Sequence, residues 1–214
     1  MASGVDVSDD QARIMGRHAV ELLQWNRTTN LTAITDPLDV AVKHYVDAVA
    51  VAPWLDRGAR ILDAGSGGGF PGIPLCILRP DLSVTLVDSV RKKVSFLKYA
   101  IRMLGLAGID AVHGRLEDLG ALPLYGGKYD VVVCRAFSAL DDFAKLALPF
   151  ISPFGRLLAM KGPQADHDHE AKNHRGDGKI ILGGRTFSLH IHRYRLPLLD
   201  AQRSLVQLTP IPEV

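Results

Sequence analysis

The chain has 214 residues, 47% hydrophobic and 22% charged, with a formal net charge of +2. Such a composition supports one sizeable core and excludes a basic-tail nucleic-acid binder, so an anionic partner must be met by a local patch. The opening "MASGVDVSDDQ" lacks a basic-then-apolar leader and no apolar run approaches membrane-spanning length, so a soluble, cytoplasmic protein without membrane association is expected.

In chain order, Ser8 with Gln11 three residues on reads as a capping box, and Asp9 and Asp10 suit a first helical turn. Ile14, Met15, Ala19, Leu22 and Leu23 then recur at helical spacing up to Trp25, before "NRTTNLTAIT" breaks the pattern. A second helix is predicted from Asp36 as N-cap, with Pro37 first and Asp39 in the first turn, running to about Val51 and stopping before Pro53. From residue 59 the rhythm changes: "ARILDAG", "SVTLVDS", "IDAVHG", "KYDVVVCRA" and "GRLLAMKG" read as strands, separated by helical patterns around 71–79, 89–104 and 139–150. Nearly continuous apolar strands alternating with helices imply a parallel sheet covered on both faces. "RTFSLHIHRYRL" and "RSLVQLTP" read as a closing hairpin, and "GPQADHDHEAKNHRGDGK" before them as a polar, mobile loop. The expected fold is α/β: a doubly wound, mostly parallel, seven-stranded Rossmann-like sheet with N-terminal helices. Residues 1–57 form a helical appendage and 58–214 the sheet domain, together one structural unit.

The stretch "ILDAGSGGGFPGIPL" places five glycines and two prolines directly after the first strand. In an open parallel sheet, ligands bind at the carboxyl ends of the strands, where a glycine-rich turn lets backbone N–H groups approach them. Gly67, Gly69 and Gly72 fit the dinucleotide spacing G-x-G-x-x-G, whereas Gly65, Gly67 and Gly69 fit Asp-x-Gly-x-Gly-x-Gly from Asp63, the form favoured by S-adenosylmethionine-binding sheets. Asp88 ends the next strand, where a carboxylate accepts from ribose hydroxyls. The plain alternative is a tight turn with no ligand. A nicotinamide-dependent oxidoreductase normally adds a second half-sheet or substrate domain, for which too little chain follows residue 150; S-adenosyl-L-methionine is the better reading.

"NLTAI" (30–34), "KHYVDAV" (43–49), "DAGSGGGFPGIPL", "TLVDSVRKKVSFL" (85–97), "CRAFSAL" (134–140) and "MKG" (160–162), in that order, closely resemble the bacterial 16S ribosomal RNA guanine-N7 methyltransferase family, also called the glucose-inhibited division protein B family. The resemblance runs from about residue 20 to 162, resumes at "DAQRSLV", and departs from the family pattern over 163–186. It implies a methyltransferase sheet and a cofactor site made by Gly65, Phe70, Leu116, Glu117 and Arg135, beside Gly67 and Asp88 of the glycine-loop reading. Gly65 offers close backbone approach, and Phe70 an apolar wall or plain core. Glu117 and its backbone accept from an adenine amino group, unless the residue is simply a solvated helix start. Arg135 anchors a carboxylate or an RNA phosphate. No catalytic residue is expected, because guanine N7 carries a free lone pair and no proton: in-line methyl transfer needs alignment and exclusion of water, not a general base.

Arg91, Lys92 and Lys93 open a helix at the position where cations oppose the macrodipole, which points to an anionic ligand such as RNA phosphate or to a solvated face screened by Asp88. Lys161 lies on the same edge. Asn30, His44 and Arg203 match family motif positions and join Lys92, Lys93 and Lys161 as expected RNA contacts, with a satisfied core histidine as the alternative for His44. Cys134 lacks the preceding proline of a cytosine-C5 methyltransferase nucleophile, since Val133 stands there, and reads with Cys76 as core. His167, His169 and His174 lie in a segment with no predicted scaffold for a metal, and none is expected. Partners are thus 16S ribosomal RNA or the small ribosomal subunit, for a chain expected to be monomeric. The rival readings are a methyltransferase for another RNA, a small molecule or a protein, the oxidoreductase, and a non-catalytic RNA-binding scaffold.

Overall fold

In the computed structural model, residues 5–135, 139–162, 174–175, 178–182 and 184–211 are described. Helix α1 spans Asp9–Thr29. Its capping box is formed: Gln11 N–H donates to Ser8 Oγ at 3.3 Å and Ser8 N–H to Gln11 Oε1 at 3.0 Å. The amide of Gln11 also donates to the carbonyls of Ile77 and Leu78, so one side chain closes two helix ends. The helix runs past Trp25 to Thr29 and stops at Asn30 in the left-handed conformation (φ 48°). The side chain of Asn26 shapes the turn that follows: its Oδ1 accepts from Leu31 and Thr32 N–H, and its amide donates to Thr32 O.

Helix α2, Pro37–Val40, starts as expected, with Asp36 Oδ1 accepting from Asp39 N–H at 2.9 Å. It continues through a π-helical turn, Ala41–Val46, into α3, Asp47–Val49, and Pro53 lies within a short 3-10 turn, Ala52–Trp54. The widened turn was not legible from periodicity.

The sheet contains β1 (Arg60–Ala64), β2 (Ser83–Asp88), β3 (Ile109–His113), β4 (Tyr129–Arg135), β5 (Ile151–Lys161), β6 (His174–Arg175), β7 (Lys179–Leu182), β8 (Arg185–Leu196) and β9 (Ala201–Pro210). Their order is β3-β2-β1-β4-β5-β9-β8-β7-β6. Strands β1 to β5 pair in parallel and the rest antiparallel. The doubly wound expectation stands, but among the described residues the sheet has nine strands rather than seven. The additional pair, β6 and β7, falls in and just after the segment expected to be a mobile loop. Ile180 and Leu182 alternate inward there and are buried, which anchors a strand in an otherwise polar stretch. Residues 163–173, which include His167 and His169, lie outside the described residues.

Helices α4 (Gly72–Leu78) and α5 (Arg91–Leu104) pack with α1 on one face; α6 (Leu116–Gly120) and α7 (Leu140–Ala147) pack on the other. Burial on both faces explains the unbroken apolar strands: Ile61, Leu62, Val131, Val132 and Val133 are fully enclosed. Among the described residues no helix is long and apolar enough to cross a membrane.

Candidate active site

The glycine loop leaves β1 and bends back over the ends of β1 and β2. Gly65 and Ser66 N–H both donate to Val87 O, at 2.9 and 3.0 Å, and Gly69 N–H donates to Ser66 O at 2.8 Å. Gly65, Gly67 and Gly69 have φ of 75°, 55° and 93°, a conformation that side chains resist, so the alternate-glycine spacing corresponds to three backbone requirements. Gly72 serves packing instead: a Cβ there would stand 2.3 Å from Leu86 Cδ2 and 2.9 Å from Asp63 Oδ2.

Two carboxylates hold this loop from behind. Asp88 accepts from Gly67 N–H through Oδ2 at 3.0 Å and from Val90 N–H through Oδ1 at 2.8 Å, tying the loop to the start of α5. Asp63 is fully buried; its Oδ2 accepts from Gly72 N–H at 2.8 Å, and its Oδ1 has no hydrogen-bond partner. Burial pushes the Asp63 carboxyl up to about 7, against the lowering effects of the Gly72 N–H and the Arg135 guanidinium.

A cleft of ≈ 300 Å³ opens at the carboxyl ends of β1, β2 and β3, lined by Gly65, Asp88, Ser89, Arg115, Leu116 and Glu117 among others. Four of the seven expected cofactor residues (Gly65, Asp88, Leu116 and Glu117) thus meet in one place, and Gly67 joins them through its bond to Asp88. Glu117 is exposed in the first turn of α6. Phe70 and Arg135 are elsewhere. Phe70 is 3% exposed and stacks on His44 with ring centroids 4.6 Å apart, while Tyr45 meets it edge-on. The Arg135 guanidinium lies 5.1 Å from the Phe70 ring centroid and donates to Lys43 O at 3.1 Å. Phe70 thus packs among aromatic rings and does not line this cleft, an arrangement that fits its plain-core alternative.

The expected RNA contacts divide similarly. Asn30, Lys92 and Lys93 lie at the turn after α1 and in the first turn of α5; Asn30 and Lys92 are exposed and Lys93 is half-buried. The first turn of α5 contains no acid. Lys161 ends β5, half-buried. His44 is only 4% exposed, held at 2.7 Å to Thr32 Oγ1 and flat on Phe70, an arrangement that fits its alternative reading as a satisfied core histidine. Burial, and then the Arg135 charge, lower its pKa to about 4, which keeps the ring neutral. Arg203, on β9, points at Asp47, with Nε 3.7 Å from Oδ1. Asp47 itself went unnoticed in the sequence, although an acid three residues after His44 on an apolar helix is a visible signal of a buried partner. Among the described residues no group of three or more His, Cys, Asp or Glu is placed to hold a metal.

The chain is similar to solved methyltransferase structures: it covers 97% of a SAM-dependent methyltransferase from Aquifex aeolicus (TM-score 0.56, 14% identity, 87% of this chain). It also covers 80% of M. jannaschii TYW2, solved in complex with AdoMet (TM-score 0.57, 11% identity, 85% of this chain). At such identities the likeness shows the fold. Sequence relatives are much nearer. A Ribosomal RNA small subunit methyltransferase G from Desulforamulus reducens is 39% identical over 210 residues, 97% of this chain and 85% of the relative. One of the same name from Geobacter sp. (strain M21) is 42% identical over 203 residues, 95% of this chain and 90% of the relative. The family described as rRNA small subunit methyltransferase G matches residues 11–179; the chain belongs to that family.

Proposed function

We propose that this methyltransferase transfers a methyl group from S-adenosyl-L-methionine to N7 of one guanine in 16S ribosomal RNA, acting in the cytoplasm as a monomer on the RNA or the small ribosomal subunit. One observation carries the cofactor assignment: the exposed backbone of Gly65, in a conformation glycine favours, opens on a cleft between the acids that end β2 and follow β3. That donor and acceptor set fits the cofactor. Gly65 admits close approach, Asp88 retains acceptor capacity beyond its two backbone bonds for ribose hydroxyls, and Glu117 suits the adenine amino group. When bound, the sulfonium supplies an electrophilic methyl group. The chain's own part is to bind, orient the base and exclude water, because the N7 lone pair needs no deprotonation. Lys92, Lys93 and Lys161 stand on the carboxyl edge of the sheet and suit phosphates, with Asn30, Arg135 and Arg203 on the side of the N-terminal helices. Residues 1–57 serve as a substrate-facing appendage to the sheet domain 58–214.

The test is transfer of labelled methyl from S-adenosyl-L-methionine to RNA of cells lacking the enzyme, with the product mapped by nuclease digestion and mass spectrometry. Label at guanine N7 of the small-subunit RNA is expected. Label on another atom, or only on a small molecule or protein, overturns the assignment.

A further inference from the structure

A polar cluster around one buried carboxylate joins distant parts of the chain. Asp47, on α3, is 4% exposed. Its Oδ1 accepts from Tyr194 Oη of β8 at 2.7 Å and lies 3.7 Å from Arg203 Nε of β9. Tyr194 and Arg203 stand directly opposite each other in the hairpin register, so their side chains share the face that meets α3. The charges of Asp47 and Asp63 also favour the protonated form of the half-buried Arg135 of β4. Burial pushes the Asp47 carboxyl up, and Tyr194, Arg203 and Arg135 counter it.

Such a cluster is a poor device for stability alone, since apolar groups of the same volume commonly do as well or better in place of a buried ion pair. Its geometry does something that apolar packing does not. One carboxylate from the N-terminal helices, held by Tyr194 Oη, directs the Arg203 guanidinium of β9, with Nε 3.7 Å from Oδ1. We infer that Asp47, with Tyr194 as its second tether, is a positioning residue for methyl transfer: it sets Arg203 in one arrangement at the edge where the RNA is held. This rests on the proposed RNA contact of Arg203.

The test uses the full chain and small-subunit ribosomal RNA from cells lacking the enzyme, with single-turnover methyl transfer measured well below each variant's Tm. Asp47→Asn keeps size and an acceptor but loses the charge; a rate lower by about 100-fold is expected, as for a misplaced substrate-holding group. Tyr194→Phe, which loses one hydrogen bond, should fall about tenfold. Cofactor affinity should stay within about twofold in both, because neither group touches the cleft. Arg203→Gln should be slow by itself, and Asp47→Asn combined with it no slower than the slower single variant, since both remove one arrangement. Asp47→Asn and Tyr194→Phe at the wild-type rate with only a lowered Tm would overturn the inference, as would a double variant whose loss is the product of the single losses. Failure of the underlying RNA assignment has its own signature: Arg203→Gln with unchanged rate and RNA affinity, which removes what Asp47 would position. Should Asp47→Asn fail to fold, the cycle of Tyr194→Phe with Arg203→Gln decides by the same comparison.

Discussion

Gly72 and Gly16 show how one residue type meets opposite constraints. Gly72 is buried under the sheet, where a Cβ would collide with Leu86 and crowd Asp63, whereas Gly16 lies within α1 with nothing within 4 Å of the added atom. Gly72→Ala should therefore cost about 1–3 kcal/mol through overpacking, and Gly16→Ala should gain roughly 0.5–1 kcal/mol by restricting the unfolded chain. Urea unfolding of the two variants checks both; a neutral Gly72→Ala would contradict the packing described. Asp63 adds a pH dependence. Its carboxyl titrates from 3.8 in the unfolded chain and at about 7 in the fold, so between those values the native state holds the extra proton. Stability then falls as pH rises from about 4 to 7 and the deficit is constant above. Asp63→Asn removes the ionisation and keeps an acceptor for Gly72 N–H. Relative to wild type it should gain stability between pH 5 and pH 8, on the order of a few kcal/mol. An equal difference at both pH values in urea titrations would refute the buried titration.

At the scale of elements, the start of α5 trades stability for charge. Three cations occupy its first turn with no acid among them, and Asp88 meets it only through Val90 N–H. Lys92→Ala should therefore raise stability by about 0.3–1 kcal/mol while weakening RNA binding and flattening its log–log salt dependence by about one unit. Filter binding across a salt series, with cofactor affinity as control, measures this; unchanged RNA affinity would leave α5 a solvated face. Much of this element order was legible in advance because burial on both faces writes strands as unbroken apolar runs and caps mark helix starts, as Ser8 and Asp36 do. The π turn at Ala41–Val46 was not, because one widened turn barely disturbs the spacing of apolar positions. β7 escaped notice because four residues with two inward apolar side chains do not stand out beside a polar segment. In the candidate site, Gly65 and Asp88 were legible in the glycine-loop motif and the strand that follows it, whereas Glu117 was marked only by the family resemblance. The mutual stacking of Phe70 and His44 was not legible because it joins segments far apart in sequence, and the Asp47–Tyr194 bond needs the whole topology before it exists.

Across the whole molecule, the groups near the proposed site titrate in a way that bears on the chemistry. His44 is held to about 4 and His18, fully enclosed, to about 3, both chiefly by burial, so neither ring changes charge near neutrality. Asp63 titrates at about 7 but stands wholly enclosed behind the loop, with Gly72 N–H on one oxygen. None of these three groups is thus suited to take a proton from a substrate at neutral pH, and the proposed acceptor has none to give. Single-turnover methyl transfer at saturating cofactor and RNA should accordingly change less than about threefold from pH 6 to 9. Asp63→Asn, His44→Gln and Glu117→Gln should lose rate through weaker binding or misplacement, with no change in the shape of the profile. A rate rising tenfold per pH unit, abolished by one of these substitutions while both ligands remain bound, would contradict this. It would identify that residue as a base and require an acceptor that carries a proton, such as guanine N1 or a ribose hydroxyl.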